Sequence, residues 1–174
     1  MGRDIRHYNG VEITCDVIDE VRKIIRCRED GELIDCEWIT SLDDICDLHN
    51  SYPVNEHVIL GDDWAIAYSI TNVVEIGLWV ASDISNNKFM QTMEMLRTMK
   101  NILLQSYGYD ICSCMRHSTS YRFYDSFVKR GYLVEKYDDV KVDGHGIIIN
   151  TSRDLLFHDT VFSVTDKFVK RYKK

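Results

Sequence analysis

The sequence predicts an α/β (α+β) protein: a mixed, mostly antiparallel central sheet with helices on both faces, plus a C-terminal helical extension. Three observations carry that prediction. Apolar residues recur at helical spacing over 16–28 and again over 86–107. Between those segments, over 57–81, the spacing drops to two in three short runs. The runs are separated by Gly61-Asp62-Asp63 and Thr71-Asn72, which read as tight turns and make the segment an antiparallel meander.

Element by element, residues 4–12 are polar, with a short extended piece ending at Val11-Glu12-Ile13. Val17, Ile18, Val21, Ile24 and Ile25 then line one face of a helix that stops at Arg28-Glu29-Asp30-Gly31. A short second helix is expected over 41–50, starting at a Ser41 cap and broken before Pro53. Strands follow at 57–60, 64–70 and 73–81, with Trp64, Ile66, Tyr68 and Ile70 sharing one side of the second. The third, Val73 to Ala81, is the most apolar strand and is expected near the centre of the sheet. Ser85 is a candidate cap for the long helix to about Tyr107, with Phe89, Met93, Leu96, Met99 and Leu103 as its buried stripe. The stripe's methionines read as core filler. Gly108 ends that helix. A strand over 109–115, a helix capped by Ser118 or Thr119 and ended by Gly131, and a hairpin around Asp143-Gly144 complete the pattern. The domain is expected over 1–152, with 153–174 as an extension bearing a basic tail.

Charge and cysteine content narrow the function classes. The 174 residues carry 21 Lys and Arg against 28 Asp and Glu, a formal charge of −7, which argues against a general nucleic-acid coat. The exception is the tail, where Lys167, Lys170, Arg171, Lys173 and Lys174 form either a solvated helix end or a docking element for an acidic partner or nucleic acid. No run of apolar residues is long enough for a membrane span, so no membrane partner is expected. The start, MGRDIRHYNG, lacks the apolar core of a signal peptide, so a cytoplasmic protein with reduced cysteines is expected. The six cysteines show no C-x-x-C spacing, and the six histidines no i, i+4 pair, so no metal is expected.

Two segments carry a family resemblance. Glu75-Ile-Gly-Leu-Trp-Val-Ala81 resembles the E-I-x-F-x-A strand of the histone acetyltransferase branch of the GNAT superfamily, the Gcn5-related N-acetyltransferases. Ser120-Tyr-Arg-Phe123-Tyr-Asp-Ser-Phe127-Val-Lys-Arg-Gly131-Tyr132 resembles that family's N-x-x-A-x-x-x-Y-x-x-x-G-F segment. The order of elements over 4–150 is also similar to the family's. The resemblance implies an acyl-CoA-dependent N-acyltransferase, with acetyl-CoA as cofactor and an amine as acceptor. It implies Glu75 as general base, a group whose pKa burial can raise toward the working pH. The alternative at Glu75 is a strand start exposed to water. The family's tyrosine, a general acid toward the CoA thiolate, falls on Phe127, which has no proton to give; Tyr124, one turn earlier, is the substitute, or else a packed aromatic.

For the cofactor, the resemblance implies that the backbone of Trp79, Val80 and Ala81 pairs with the pantetheine arm. It places the pyrophosphate loop at Lys88, Phe89, Gln91 and Thr92. Both loop glycines are missing, and no glycine occurs between Gly77 and Gly108, so the backbone cradle for phosphates is degenerate. Two outcomes therefore stand side by side. One is a transferase, with Asp62, Asp63 and Asp83 as an acidic mouth for a cationic amine and His117 a candidate for the cleft. The other is a pseudoenzyme: a GNAT fold kept without chemistry, as a binding or assembly protein or a homo-oligomer. Small phage and viral proteins of this resemblance exist, some of them virion components.

Overall fold

The computed structural model describes residues 3–26, 55–70, 73–82, 85–114, 118–142, 148–150 and 159–173. The strands are β1 (Arg6–Asn9), β2 (Asn55–Leu60), β3 (Trp64–Ile70), β4 (Val74–Ala81), β5 (Asp110–Cys114), β6 (Leu133–Val142), β7 (Ile148–Asn150) and β8 (Asp159–Val164). The helices are α1 (Cys15–Arg26), α2 (Lys88–Gln105), α3 (Ser118–Lys129) and α4 (Asp166–Tyr172), with a 3-10 turn at Gly10–Glu12 where the sequence suggests extended chain. The helix expected over 41–50 lies outside the described residues.

The strands form one open sheet in the order β1-β2-β3-β4-β5-β8-β6-β7. Every neighbouring pair is antiparallel except β4 and β5, which are parallel. The meander is present, with Val58 opposite Ala67 and Ile66 opposite Trp79. The terminal hairpin is also present, Val142 pairing Ile148; its turn at 143–147 lies outside the described residues.

Helices cover both faces. On one face, Val17, Ile18, Val21 and Ile24 of α1 pack on Val58, Leu60, Ala65 and Ala67. Small alanines let the helix approach the sheet closely. On the other face, α2, α3 and α4 bury Met99, Ile102, Leu103, Phe123, Phe127 and Phe168 against Ile66, Tyr68, Val74, Ile76, Ile111 and Phe162. The alternation of Trp64, Ile66 and Tyr68 with Ala65 and Ala67 therefore divides β3 between two cores. Gly108 at φ +91° and Gly131 at φ +77° follow α2 and α3, in the left-handed region that ends helices.

Two expectations meet a different arrangement. Residues 159–173, set apart in the sequence reading as part of an extension, belong to the body of the sheet. β8 lies between β5 and β6, with Ile111 opposite Phe162 and Leu133 opposite Val164. Val161 and Phe162 are fully buried, and so is Phe168 of α4. The boundary drawn at 152/153 thus falls between strands of one sheet. Thr165 fixes the turn between β8 and α4: its hydroxyl donates to Gly131 O at 2.6 Å and accepts from Phe168 N at 3.3 Å.

The second difference is the stripe of α2. Phe89 is 72% exposed and Met93 40% exposed. The inward face is instead Gln91, Glu94, Met95, Thr98, Met99, Ile102 and Leu103. Its first turns are polar, so apolar periodicity misplaces Phe89 and Met93, while Met99 and Leu103 are buried as expected and Leu96 packs against the core. The helix cap also shifts: Asn87 Oδ1 accepts from Met90 N at 3.1 Å, and Ser85 Oγ accepts from Asn87 N.

Candidate functional site

The site begins where two parallel strands part. β4 and β5 pair only through Val74 with Ile111, Glu75 with Cys112 and Ile76 with Ser113. β5 ends at Cys114, while β4 runs on to Ala81 paired with β3. From Gly77 onward, β4 presents an edge with no ladder partner toward β5 among the described residues.

A bulge marks the parting. Ala67 lies opposite Leu78, but Tyr68 lies opposite Ile76, which leaves Gly77 as the extra residue of β4. The extra residue reverses the alternation of side chains. Before it, Val74 and Ile76 point to the core under α2 and α3; after it, Trp79 and Ala81 do so.

Trp79 and Ala81 form the floor of a cleft of about 450 Å3, walled by Gln91, Thr92 and Met95 of α2 and by Arg122, Phe123 and Phe127 of α3, with Arg130 just beyond it. The Trp79 indole stands edge-on to Phe123, centroids 4.7 Å apart. Its Nε1 is buried and has no hydrogen-bond partner among the described residues. A buried donor without an acceptor is costly, and a ligand acceptor in the cleft would relieve that cost.

The proposed catalytic pair is divided by the sheet. Glu75 is 5% exposed, so its strand position is not the water-exposed start that the alternative reading required. It lies between Val74 and Ile76 and thus faces the side opposite the cleft, level with Ser69 and Cys112 on the neighbouring strands. Tyr124 is fully buried on the helix side, stacked on Phe162 at 5.0 Å and 11°. Phe127, where the resemblance expects a tyrosine, reaches the cleft from α3.

The cofactor-binding candidates also separate. Trp79 and Ala81 reach the cleft, and Val80 sits between them, pairing Ala65 on β3. Lys88 and Phe89 are exposed at the first turn of α2, and Phe89 does not fill the gap between β4 and β5. Gln91 is buried, and its Nε2 donates to Asp63 O at 2.9 Å and Ser82 O at 3.0 Å. It ties α2 to the chain that feeds it. Thr92 is exposed at the cleft. Asp83 and His117 lie outside the described residues.

A polar hub that apolar patterning hides stands behind this connection. Arg3 bridges Asp63, at 2.9 and 3.0 Å, and Glu94, at 2.6 Å. Glu94 also accepts from Trp64 Nε1 at 3.1 Å, and Ser85 Oγ donates to Asp63. Hydrogen bonds to Glu94 and then to Asp63 push the Arg3 pKa far above the ordinary guanidinium value, so it is permanently charged. The hub borders a second cavity of about 630 Å3 on the α1 side of the β4–α2 connection, lined by Arg3, Asp62, Asp63, Ser85 and Asn86 among others. Of the expected acidic mouth, Asp63 is therefore occupied by Arg3, and Asp62 is exposed.

No group of three or more His, Cys, Asp or Glu stands together to hold a metal ion among the described residues. Among them also, no helix is long and apolar enough to cross a membrane. Fold and site together define a mixed α/β open-sheet domain with a cleft at the parting of two parallel strands. A scan against protein-family models finds no match for this chain, and a search of curated proteins finds none.

Proposed function

We propose that this protein is an acyl-CoA-dependent N-acyltransferase of the GNAT kind, taking an acyl group from a thioester to a primary amine. The observation that carries this reading is the short parallel pairing of β4 and β5 that ends at Ile76 and Ser113 above a cleft. A slender arm with amide groups can enter there and complete the unpaired edge of β4 as a third strand would. Backbone N–H groups beyond the Gly77 bulge are then available to polarise a thioester carbonyl, the largest contribution to catalysis of this type. The Trp79 indole N–H is a further donor within the cleft.

In the proposed reaction the amine attacks the carbonyl carbon, the tetrahedral intermediate collapses, and the C–S bond breaks to release thiolate. Thioester and amine approach from opposite faces through the gap between the strands. That assigns the α2–α3 side to the cofactor and the Glu75 side to the amine, where a buried carboxylate accepts the ammonium proton through water. Phe127 supplies no proton and Tyr124 lies in the core, so the thiolate takes its proton from solvent. Charges stand in for the missing loop glycines. Arg122 and Arg130 border the cleft, and the N–H groups of Lys88 and Phe89 open the first turn of α2, where a helix favours anions.

The second reading, a pseudoenzyme that serves as a binding or assembly component, is favoured by Phe127 and by the exposed Phe89 where the resemblance needs glycine. Calorimetric titration with acetyl-CoA separates the two. The transferase reading expects saturable micromolar binding that drops at least tenfold in Arg122→Glu/Arg130→Glu. It also expects thiol release with a panel of amines, slowed at neutral pH by Glu75→Gln. No binding at millimolar acetyl-CoA leaves the binding component.

A further inference from the structure

Charge is distributed very unevenly over this acidic chain. The formal balance is −7, yet the helical layer of α2, α3 and α4 is strongly basic on its outer surface. Arg97 and Lys100 on α2, and Lys170 and Arg171 on α4, make no salt bridge with any described carboxylate. The acids of the same helices are engaged elsewhere. Glu94 is buried on Arg3 and Trp64, Asp125 pairs with Lys129, and Asp166 accepts from the Tyr107 hydroxyl.

α2 and α4 pack together, so these cations form one surface. Lys100 of α2 stands 4.6 Å from the Tyr172 ring of α4, and Arg171 stands 5.7 Å from the same ring. Two like charges thus share one aromatic partner with no carboxylate between them among the described residues. Such crowding is unfavourable in isolation and is relieved by a polyanion. Exposed aromatic rings follow α2: Tyr107 is 44% exposed, with its hydroxyl on Asp166 of α4, and Tyr109 is 41% exposed.

We propose that the outer face of α2 and α4 binds nucleic acid through its phosphate backbone. Phosphates neutralise the unpaired cations, and the exposed tyrosines offer stacking surfaces that sequence-independent binding to unpaired bases uses. The rings favour nucleic acid over an acidic polypeptide, which has charge but no bases to stack. The surface extends over α4, beyond the acyl-CoA cleft, so the proposal does not depend on the transferase reading.

The test is fluorescence anisotropy with a labelled 20-nucleotide single-stranded RNA and, in parallel, labelled poly-glutamate, from about 50 to 200 mM salt. The expected result is micromolar or tighter RNA binding at low salt, with log K falling against log salt at a slope of about −3 or steeper. The triple variant Lys170→Glu/Arg171→Glu/Lys173→Glu, its fold checked by circular dichroism, should weaken RNA binding at least tenfold. The milder Lys170→Gln/Arg171→Gln/Lys173→Gln should lose less, and Lys23→Glu on α1 should change nothing. Acetyl-CoA titration should be the same in all of them, which keeps this surface separate from the cleft. Absence of RNA binding at 50 mM salt, binding unaffected by the triple change, or poly-glutamate binding as tight as RNA each overturns the proposal.

Discussion

At Gly61 a single added methyl would stand 2.0 Å from Trp64 Nε1. The turn between β2 and β3 folds under the indole, and Gly61 N donates to Trp64 O at 3.0 Å. The indole cannot retreat without leaving Glu94, its hydrogen-bond acceptor. Gly61→Ala is therefore expected to destabilise the protein by about 1–3 kcal/mol, the usual cost of overpacking. A thermal melt checks this; an unchanged midpoint would show that the ring moves freely. A second residue effect lies at the β1–β2 edge, where two histidines far apart in sequence meet. His7 Nε2 and His57 Nδ1 are 3.2 Å apart, His57 Nδ1 is 2.6 Å from Asn9 Oδ1, and His57 stacks on Tyr68 at 4.6 Å. Burial, and then the charge of His7, lower the His57 pKa from its ordinary 6.5. The folded protein thus prefers the neutral ring, and the unfolded chain binds the proton first as pH falls. The contribution is fully present above 6.5 and is lost as pH drops through the depressed folded value. The melting temperature is expected to fall on acidification below about pH 6.5, and His57→Gln should flatten that part of the profile. Glu75 could be singled out in the sequence as a carboxylate inside an apolar strand. Gln91 and Glu94 could not, because a polar residue on an amphipathic helix reads as solvent-facing until its partners are known.

Among elements, β8 has the largest consequence. It pairs on both sides, with β5 and with β6, and buries Val161 and Phe162 completely. A chain ending at residue 152 would leave β5 and β6 with open edges and remove Phe168 from the core. Such a truncation is expected to abolish cooperative unfolding by circular dichroism. A sharp melt near that of the full chain would show that 159–173 is dispensable. The strand is hard to see in the sequence because six residues, Asp159–Val164, make a weak period-two signal. β2, β3 and β4 announce themselves through consecutive turns, which couple one strand to the next. Insertion of a strand between two others is a non-local event that no local pattern records.

Across the whole molecule, the sheet separates two kinds of surface. One face holds α1; the other holds the basic helical layer and the cleft under it, with Glu94 of α2 reaching the polar hub around Arg3. The meander, both crossover helices, their glycine stops and the hairpin were legible in the linear pattern, because hydrogen-bond period and turn chemistry are local properties of the backbone. So was the oddness of Glu75. The cleft itself was not legible, since its existence depends on how few residues β4 and β5 share before they diverge. Nor could the pattern tell that Glu75 and Tyr124 stand on opposite sides of a sheet, that α2 turns Gln91 and Glu94 inward, or that residues 159–164 occupy an interior strand position. Those outcomes are decided by packing between segments distant along the chain, where burial and paired polar groups override local preference.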